Sequence, residues 1–280
     1  MNSVSVVIPV YKSMLSDSER ISLEQCCKIL GKHPFILVGP PKLSVDEYAA
    51  YFKRYNVSYH CIHFKETYFR DIEGYNRLLL SLDFYKAFEN FTYILIHQLD
   101  ALVFKDELAF WCAKGYDYIG APWFKRFWRF RTSKRLYAVG NGGLSLRKVQ
   151  SCIKVLSHTG KFKPYRHCFS FHNSLLLKLK KLSIERWHAL KFENTVNFFT
   201  SINRKTEDRF WSLDTRHAYV NFYVAPIEEG LRFAFECYPS YLFALNKSLP
   251  FGCHAWDRYE PEFWKKILIG EHDTPPALHA

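Results

Sequence analysis

One stretch decides the fold: Thr92-Tyr93-Ile94-Leu95-Ile96-His97-Gln98-Leu99-Asp100-Ala101-Leu102-Val103-Phe104, an apolar run that contains a single acid. Its apolar residues fall on both alternating faces, which is typical of a strand buried on both sides in the middle of a parallel sheet. An unpaired ionised carboxylate in a core costs on the order of several kcal/mol. We therefore expect Asp100 to be paired, to bind a metal, or to lie at the open end of the strand.

Alternating strands and helices are predicted before this run. The strands are predicted at residues 4–10, 35–39 and 57–64, and the helices at 16–31 and 44–55. This order predicts a parallel, right-handed sheet with a crevice at its carboxyl edge, where α/β folds bind ligands. Asp100 falls at that edge, and we expect it to hold a divalent cation that bridges the phosphates of a sugar nucleotide. The alternative is an aspartate that caps the turn after the strand.

Three further residues are candidates for contacts with a nucleotide in the crevice. Pro9 and Tyr11 lie at the end of the first predicted strand. Asn76 lies in the first turn of a helix predicted over residues 71–88, which leads directly into the central strand. The alternative for Asn76 is a solvated helix residue that contacts no ligand.

A glycine-rich segment, Val139-Gly140-Asn141-Gly142-Gly143-Leu144-Ser145-Leu146-Arg147, follows a strand predicted at 116–123. Its glycines allow backbone amides to approach a ligand closely, and Asn141, Gly142 and Gly143 are the candidates for that contact. The order of residues matches neither a P-loop nor a dinucleotide fingerprint. A plain glycine-rich turn is the alternative. A helix is predicted to follow at residues 147–156.

Two acids and one histidine later in the chain are candidates for chemistry. Glu207 and Asp208 follow Thr206 at a predicted helix start, where the helix macrodipole stabilises acids and accounts for them structurally. A carboxylate at a helix start could also serve as a general base. His254 follows Gly252 in a predicted loop, and a lone histidine in a loop is commonly incidental.

Composition limits the class of protein. The chain has 280 residues, 48% of them hydrophobic and 18% aromatic, which is enough to bury a full core. No window approaches the roughly 18 apolar residues of a membrane span, and residues 1–5 do not resemble a signal peptide. We therefore expect a cytoplasmic protein. The eight cysteines are scattered without a C-x-x-C pair, and we expect them to be reduced packing residues rather than zinc ligands.

The formal net charge of +12 is concentrated in two basic segments. The first, segment 125–135, starts with Lys125, ends with Arg135 and interleaves arginines with aromatic rings; the second is at 178–181. Such a pattern suits an anionic membrane surface, or base stacking on a single-stranded nucleic acid. A solvated loop is the third interpretation of segment 125–135.

Five motifs in order resemble a family of bacterial proteins of unassigned function, found among polysaccharide genes and similar to GT-A glycosyltransferases. The motifs lie at 93–101, 116–123, 140–147, 207–211 and 250–256, so the resemblance covers nearly the whole chain. It implies an α/β fold, a GT-A-like Rossmann-type sandwich with a central, mostly parallel sheet flanked by helices. It also implies a single domain over 1–280, with a nucleotide-binding half at 1–104 and an acceptor-binding half at 105–280.

The same resemblance implies a metal site. The D-x-D motif of the GT-A class ends the central strand, and Gln98-Leu99-Asp100 occupies that place here. Asp100 matches the second, metal-binding acid, whereas Gln98 replaces the first acid by an uncharged amide, which puts strong metal affinity in doubt. His254 resembles the late metal-binding histidine of glycogenin-like enzymes. Asp100, His254 and two diphosphate oxygens would then hold Mn²⁺ or Mg²⁺.

Roles in the transfer step follow from the resemblance as well. Gly142 and Gly143 resemble the loop that lies against donor sugar and acceptor in several GT-A enzymes. Glu207-Asp208 resembles the late acid pair of inverting members, with Asp208 as the first candidate for the base and Glu207 as the second. Arg147 could assist the phosphates, although a surface salt bridge is its alternative role.

The resulting hypothesis is a glycosyltransferase that moves a sugar from a nucleotide diphosphate sugar to a glycan or lipid-linked acceptor. It would act in bacterial surface polysaccharide synthesis, such as O-antigen or capsule, and segment 125–135 would contact the inner face of the anionic membrane. No nucleic-acid partner is expected. One alternative is a nucleotidyltransferase, which would normally show a glycine-rich, lysine-containing loop after the first strand. Another is a nucleotide-sugar or glycan-binding protein without turnover.

Overall fold

A computed structural model describes residues 3–126, 132–158, 206–215 and 221–270. The basic segment at 178–181, the poorly patterned stretch 159–205 and the centre of segment 125–135 lie outside these described residues. The elements in chain order are β1 (Val4–Pro9), α1 (Asp17–Leu30), β2 (Phe35–Gly39), α2 (Asp46–Arg54), β3 (Tyr59–His63), α3 (Ile72–Leu79), α4 (Leu82–Lys86), β4 (Tyr93–His97), β5 (Leu102–Val103), α5 (Leu108–Ala113), β6 (Tyr118–Ile119), β7 (Pro122–Arg126), β8 (Thr132–Val139), β9 (Leu144–Lys148), α6 (Val149–Leu156), α7 (Glu207–Arg209), α8 (Ile227–Phe233), β10 (Ala234–Phe235), α9 (Pro239–Asn246), β11 (Gly252–Cys253) and α10 (Pro261–Leu268).

The central sheet has the strand order β3-β2-β1-β4-β9-β6. β1 pairs in parallel with β2 and β4, and β2 pairs in parallel with β3, whereas β9 runs antiparallel to both of its neighbours. The expected α/β sandwich with a mostly parallel sheet is therefore confirmed. The two antiparallel contacts of β9 are a departure from a purely parallel sheet.

Both faces of β4 are buried, which explains its continuous apolar run. Leu95 packs in one core cluster with residues of α1 and α2, including Leu23 and Phe52. Ile96 packs on the opposite face with residues of α4 and α6, including Phe84 and Cys152. Because neither face meets water, alternation of polar and apolar residues is not required in this strand.

The predicted strand over 92–104 is not continuous. β4 ends at His97, and a turn closed by a hydrogen bond from Ala101 N to Gln98 O (3.0 Å) follows. Leu102 and Val103 then form β5, which pairs antiparallel with β11 in a second, three-stranded sheet of order β10-β11-β5. The turn therefore carries Asp100, and the β5–β11 pairing brings the loop after β11 to the same edge.

Two predicted helix boundaries were wrong for local reasons. The helix predicted at 71–88 divides into α3 and α4, because the Ser81 hydroxyl accepts a hydrogen bond from Phe84 N (3.2 Å) and starts a new helix. The helix predicted at 147–156 begins only at Val149, so that Arg147 belongs to β9. By contrast, the helix predicted at 16–31 forms as α1, which starts with a capping box of Ser16 and Glu19.

Most of the described cysteines are buried, whereas Cys61 is exposed. Among the described cysteines, Cys26, Cys27, Cys112, Cys152 and Cys253 are buried thiols, as expected for packing residues. Within the described residues, no helix is both long and apolar enough to cross a bilayer.

Candidate functional site

A cavity of about 450 Å³ opens at the carboxyl edge of the central sheet. Pro9, Tyr11, Gln98 and Asp100, which were predicted to contact the donor, all line it. Sequence reasoning did not single out several other polar lining residues: Lys12, Ser16, Ser18, Glu19, Arg70, Asp71, Tyr75 and Asp257. Only their positions in the chain could have indicated them. Lys12 lies three residues after the end of β1, and Arg70 and Asp71 immediately precede α3.

Asp100 and His254 lie side by side although 154 positions separate them in the chain. Asp100 Oδ1 is 3.1 Å from His254 Nε2, and the Oε1 atom of Gln98 is 3.2 Å from the same nitrogen. The Asp100 side chain is 39% exposed and lines the cavity, whereas the His254 side chain is 15% exposed and lies behind it, in contact with Asp100. The three side chains thus present oxygen and nitrogen donors to one point.

A second carboxylate orients the imidazole of His254. Glu236 Oε1 lies 3.2 Å from His254 Nδ1, and the two are held in register by the β10–β11 pairing. Burial alone lowers the pKa of His254, but the hydrogen bonds and charges of Asp100 and Glu236 outweigh burial and raise the pKa to about 10. The imidazolium therefore lies between two carboxylates, and Glu236 fixes which nitrogen faces Asp100.

Gly142 and Gly143 separate His254 from Glu207. A Cβ atom on Gly143 would collide with the imidazole of His254 and would lie 2.8 Å from Gln98 Oε1, and one on Gly142 would collide with Glu207 Oε1. Both positions therefore require glycine because of close approach. The Gly143 O atom also accepts a hydrogen bond from Gln98 N (2.8 Å), which ties this loop to the β4 turn.

Asn141 holds the shape of this glycine loop. It adopts a left-handed backbone conformation (φ 71°), and its Oδ1 accepts a hydrogen bond from Gly143 N (2.9 Å). The Tyr118 hydroxyl donates to Asn141 O (3.1 Å). Asn141 is buried, and its Nδ2 has no hydrogen-bond partner among the described residues. The glycine loop therefore contains a buried donor that no described residue satisfies.

Arg147 and Glu207 form a buried ion pair behind the loop. Arg147 Nη2 donates to Glu207 Oε1 (3.0 Å), and Arg147 Nη1 lies 2.8 Å from Glu207 Oε2. The side chains are 0% and 4% exposed, so the suggested surface salt bridge of Arg147 was wrong. Burial raises the pKa of Glu207 to about 7, against the attraction of Arg147.

Asn76 supports Glu207 from the other side. Its Oδ1 accepts a hydrogen bond from Glu207 N (2.7 Å), and its Nδ2 donates to Ile72 O (2.7 Å). Asn76 thus links α3 to α7, and it does not line the cavity. The Thr206 side chain makes no hydrogen bond that caps α7, contrary to expectation. The amide of Asn76 does this instead.

Asp208 is half-buried and lies next to the ion pair. Its Oδ1 accepts a hydrogen bond from Arg209 N (2.7 Å), and its charge adds to the upward shift of the pKa of Glu207. A continuous series of contacts therefore runs from Asp100 through His254, the glycine loop and Glu207 to Asp208. Residues 207 and 208 are not among those that line the 450 Å³ cavity.

His97, at the end of β4, is an unusual buried group beside this site. It is fully buried, and neither ring nitrogen has a hydrogen-bond partner among the described residues. Burial lowers the pKa of His97 from 6.5 to about 4, so the folded protein holds a neutral imidazole.

This depressed pKa predicts acid sensitivity. Above pH 6.5 the His97 contribution to stability is fully present, and it is lost as the pH falls from 6.5 to about 4, because only the unfolded chain takes up the proton. We expect the free energy of unfolding to fall by up to about 3 kcal/mol over this pH window. This fall should be absent in His97→Leu and retained in the matched variant His60→Leu. Urea unfolding at pH 7 and pH 4 measures it. An equal loss in His97→Leu would contradict the assignment.

The side chains of Asp100, His254 and Gln98 fit a hard divalent cation only if a bound ligand completes its coordination. In the part of the chain that the structure describes, no group of three or more His, Cys, Asp or Glu side chains is arranged to hold a metal ion. Asp100 and His254 supply two donors, with the Gln98 oxygen as a neutral third. Mg²⁺ is commonly bound by one or two carboxylates together with substrate phosphates, so this partial set fits a cation that arrives with a diphosphate.

One solved structure shows the same fold over nearly the whole chain. The chain is similar to the galactosyltransferase LgtC, described in complex with donor and acceptor sugar analogs, with a TM-score of 0.53 and 13% identity over 98% of both chains. A second similar structure is core-mannan synthase A (CmsA/Ktr4) from Aspergillus fumigatus in its Mn/GDP form, with a TM-score of 0.34 and 12% identity over 45% of this chain and 43% of that one. The similarity to LgtC confirms the GT-A-like fold.

Sequence comparison places the chain in a family. No curated protein matches it in sequence. A family model described as "Protein of unknown function (DUF5672)" matches residues 58–254, a range that starts at β3, contains Asp100, the glycine loop and Glu207-Asp208, and ends at His254. Since this range covers more than half of the 280 residues, the chain belongs to the DUF5672 family.

Proposed function

We propose that this protein is a glycosyltransferase that moves a sugar from a nucleotide diphosphate sugar to a glycan or lipid-linked acceptor, with inversion at the anomeric carbon. The proposed setting is bacterial surface polysaccharide synthesis. The observation that carries the proposal is the series of contacts Asp100, His254, glycine loop, Glu207 and Asp208, whose first member, Asp100, lines a cavity of about 450 Å³ at the carboxyl edge of the sheet. This is where folds of this class bind ligands.

The proposed donor site occupies the cavity. Its volume lies within the range of small-molecule sites. All of the lining residues except Asp257 come from residues 1–104, which supports the assignment of this half to the nucleotide. The ring of Tyr11 is 63% exposed and can stack on a base, while Arg70 offers a cation to the phosphates.

A divalent cation, Mn²⁺ or Mg²⁺, would be held by Asp100 and His254 together with two diphosphate oxygens. Bound there, it would neutralise negative charge on the departing diphosphate. Glu236 would orient His254 so that Nε2 faces the ion, and the imidazolium would release its Nε2 proton when the ion binds. The uncharged Gln98 would contribute an oxygen donor without adding charge.

The proposed base is Asp208, and Glu207 is the supporting acid. Both Glu207 oxygens lie against Arg147, so this carboxylate is engaged in holding the glycine loop. Within the described residues, the carboxylate of Asp208 accepts a hydrogen bond from Arg209 N and forms no ion pair. In the transfer, the acceptor oxygen bonds to the anomeric carbon, the bond from that carbon to the diphosphate oxygen breaks, and the acceptor proton passes to Asp208. Residues 105–280 would supply the acceptor half.

Donor binding tests this proposal. A panel of nucleotide diphosphate sugars, each with and without Mn²⁺, is screened for thermal stabilisation of the wild type, Asp100→Ala and the matched exposed variant Asp83→Ala. A cognate donor at about a hundredfold excess over Kd is expected to raise Tm by about 5 °C. We expect Asp100→Ala to lose the Mn²⁺-dependent part of that shift and Asp83→Ala to keep it.

The other outcomes separate the alternatives. If no donor stabilises the protein in either condition, the proposal is overturned. Thermal stabilisation by a donor that does not depend on Mn²⁺ overturns only the proposed role of the cation. Stabilisation without sugar transfer to any acceptor would favour a binding protein without turnover.

A further inference from the structure

Helix α9 exposes an apolar stripe. Its sequence contains five consecutive apolar residues, 241–245, and five helical positions at about 100° each surround the whole circumference, so part of this apolar surface must face outwards. Leu242 is buried, whereas Leu245 is 46% exposed and Tyr238, which precedes the helix, is 47% exposed. Tyr241 lies one turn before Leu245 and shares its face.

Lysines border this stripe. Lys134 Nζ lies 5.1 Å from the centre of the Tyr241 ring, and the Tyr241 hydroxyl donates to Lys134 O (3.5 Å). Lys247 follows the last turn of α9 in a left-handed conformation. Neither lysine forms an ion pair with another described residue. We call Tyr238, Tyr241, Leu245, Lys134 and Lys247 the α9 face.

The β7–β8 hairpin fixes the α9 face relative to the candidate site. The Phe124 ring packs on those of Tyr238 (5.2 Å) and Tyr241 (6.1 Å). From Lys134, β8 runs directly to Gly140, where a Cβ atom would collide with the Trp123 ring of β7. The same chain then enters the Gly142-Gly143 loop. A surface bound at the α9 face would therefore lie at a defined distance from that loop.

We propose that the α9 face docks the protein peripherally on an anionic lipid bilayer. An aliphatic side chain and tyrosines, flanked by lysines that form no ion pair within the described residues, match the interface, where apolar groups enter the headgroup region and lysines meet lipid phosphates. The net charge of +12 favours an anionic surface. A single-stranded nucleic acid fits less well, because its bases could stack on the tyrosines but would leave the exposed Leu245 without an apolar partner. The docking itself does not depend on the proposed function. Its consequence, that docking presents a lipid-linked acceptor to the glycine loop, rests on the proposed function.

Vesicle partition of the full chain tests the docking. Sedimentation with phosphatidylcholine vesicles is compared with sedimentation with vesicles that also contain phosphatidylglycerol. We expect the wild type to bind only the anionic vesicles. Leu245→Ser should weaken partition about fivefold, and Lys134→Gln with Lys247→Gln about twentyfold. The matched controls are Ile21→Ser, at a residue 42% exposed on α1, and Lys53→Gln with Lys86→Gln.

Each outcome of the vesicle experiment either supports or overturns docking. Wild-type partition that falls in the α9-face variants and not in the controls supports docking, provided that the variants keep the wild-type Tm. No partition, partition equal on neutral vesicles, or partition equally weakened by the controls overturns it. So does a dimer in solution that Leu245→Ser dissociates, because a second copy would then cover the face. Donor-induced stabilisation is scored separately, so loss of donor binding with intact partition would overturn only the proposed function.

Discussion

Asp208→Asn is expected to lower the turnover of sugar transfer by about 10²–10⁴-fold while donor affinity stays unchanged. The substitution keeps the shape and the hydrogen bond to Arg209 N but removes the negative charge that would accept the acceptor proton. An interaction that acts only in the transition state lowers kcat without changing binding. Single-turnover transfer from the cognate donor, together with donor-induced thermal stabilisation, measures both quantities.

A stability measurement separates a base from a structural residue. Asp208→Asn should lose turnover and keep the wild-type Tm, because its half-buried side chain keeps the hydrogen bond to Arg209 N. Asp83→Asn, an exposed acid in α4, is the matched control and should keep both rate and Tm. Unchanged turnover in Asp208→Asn would remove this residue from the role of base, and Glu207→Gln would then have to show the loss.

Local patterns were sufficient to predict the main sheet. β1, β2 and β4 are buried at every position, and a continuous apolar run bounded by turn residues indicates such strands directly. The capping box of α1 is equally local. The break after His97 could not be predicted in this way, because Leu102 and Val103 are as apolar as the strand before them. They leave the central sheet because β11, about 150 residues later, pairs with β5.

The candidate site also combines residues that local patterns predict with residues whose roles depend on distant contacts. Asp100 was recognisable from its position after an apolar strand, and His254 from family resemblance, and the structure brings their side chains together. Glu236 carried no sequence signal, because its contact with His254 depends on the pairing of β10 with β11. Asn76 contacts Glu207 N across 131 positions, so its role depends on how α3 and α7 are packed. Residues that position other residues are therefore the ones that local patterns miss.

The buried pair of Arg147 and Glu207 should respond asymmetrically to the loss of either partner. Glu207→Gln leaves a guanidinium that cannot lose its proton in a fully buried position, and we expect it to lower the free energy of unfolding by about 3–5 kcal/mol. Arg147→Met should cost less, because the remaining carboxyl can take up a proton and the pKa of Glu207 is already raised to about 7. Urea unfolding at pH 7 of both variants measures the difference.

Two further measurements test the cause of this asymmetry. A group whose folded-state pKa is raised stabilises the protein below its unfolded pKa, and this contribution is lost as the pH rises through the folded pKa. The cost of Arg147→Met should therefore be larger at pH 8 than at pH 5, whereas that of Glu207→Gln should not grow with pH. The double variant Arg147→Met with Glu207→Leu should recover most of the lost stability, because no buried charge remains. A double variant as unstable as Glu207→Gln would show that packing, not charge, sets the cost, and the glycine loop would then be held by shape alone.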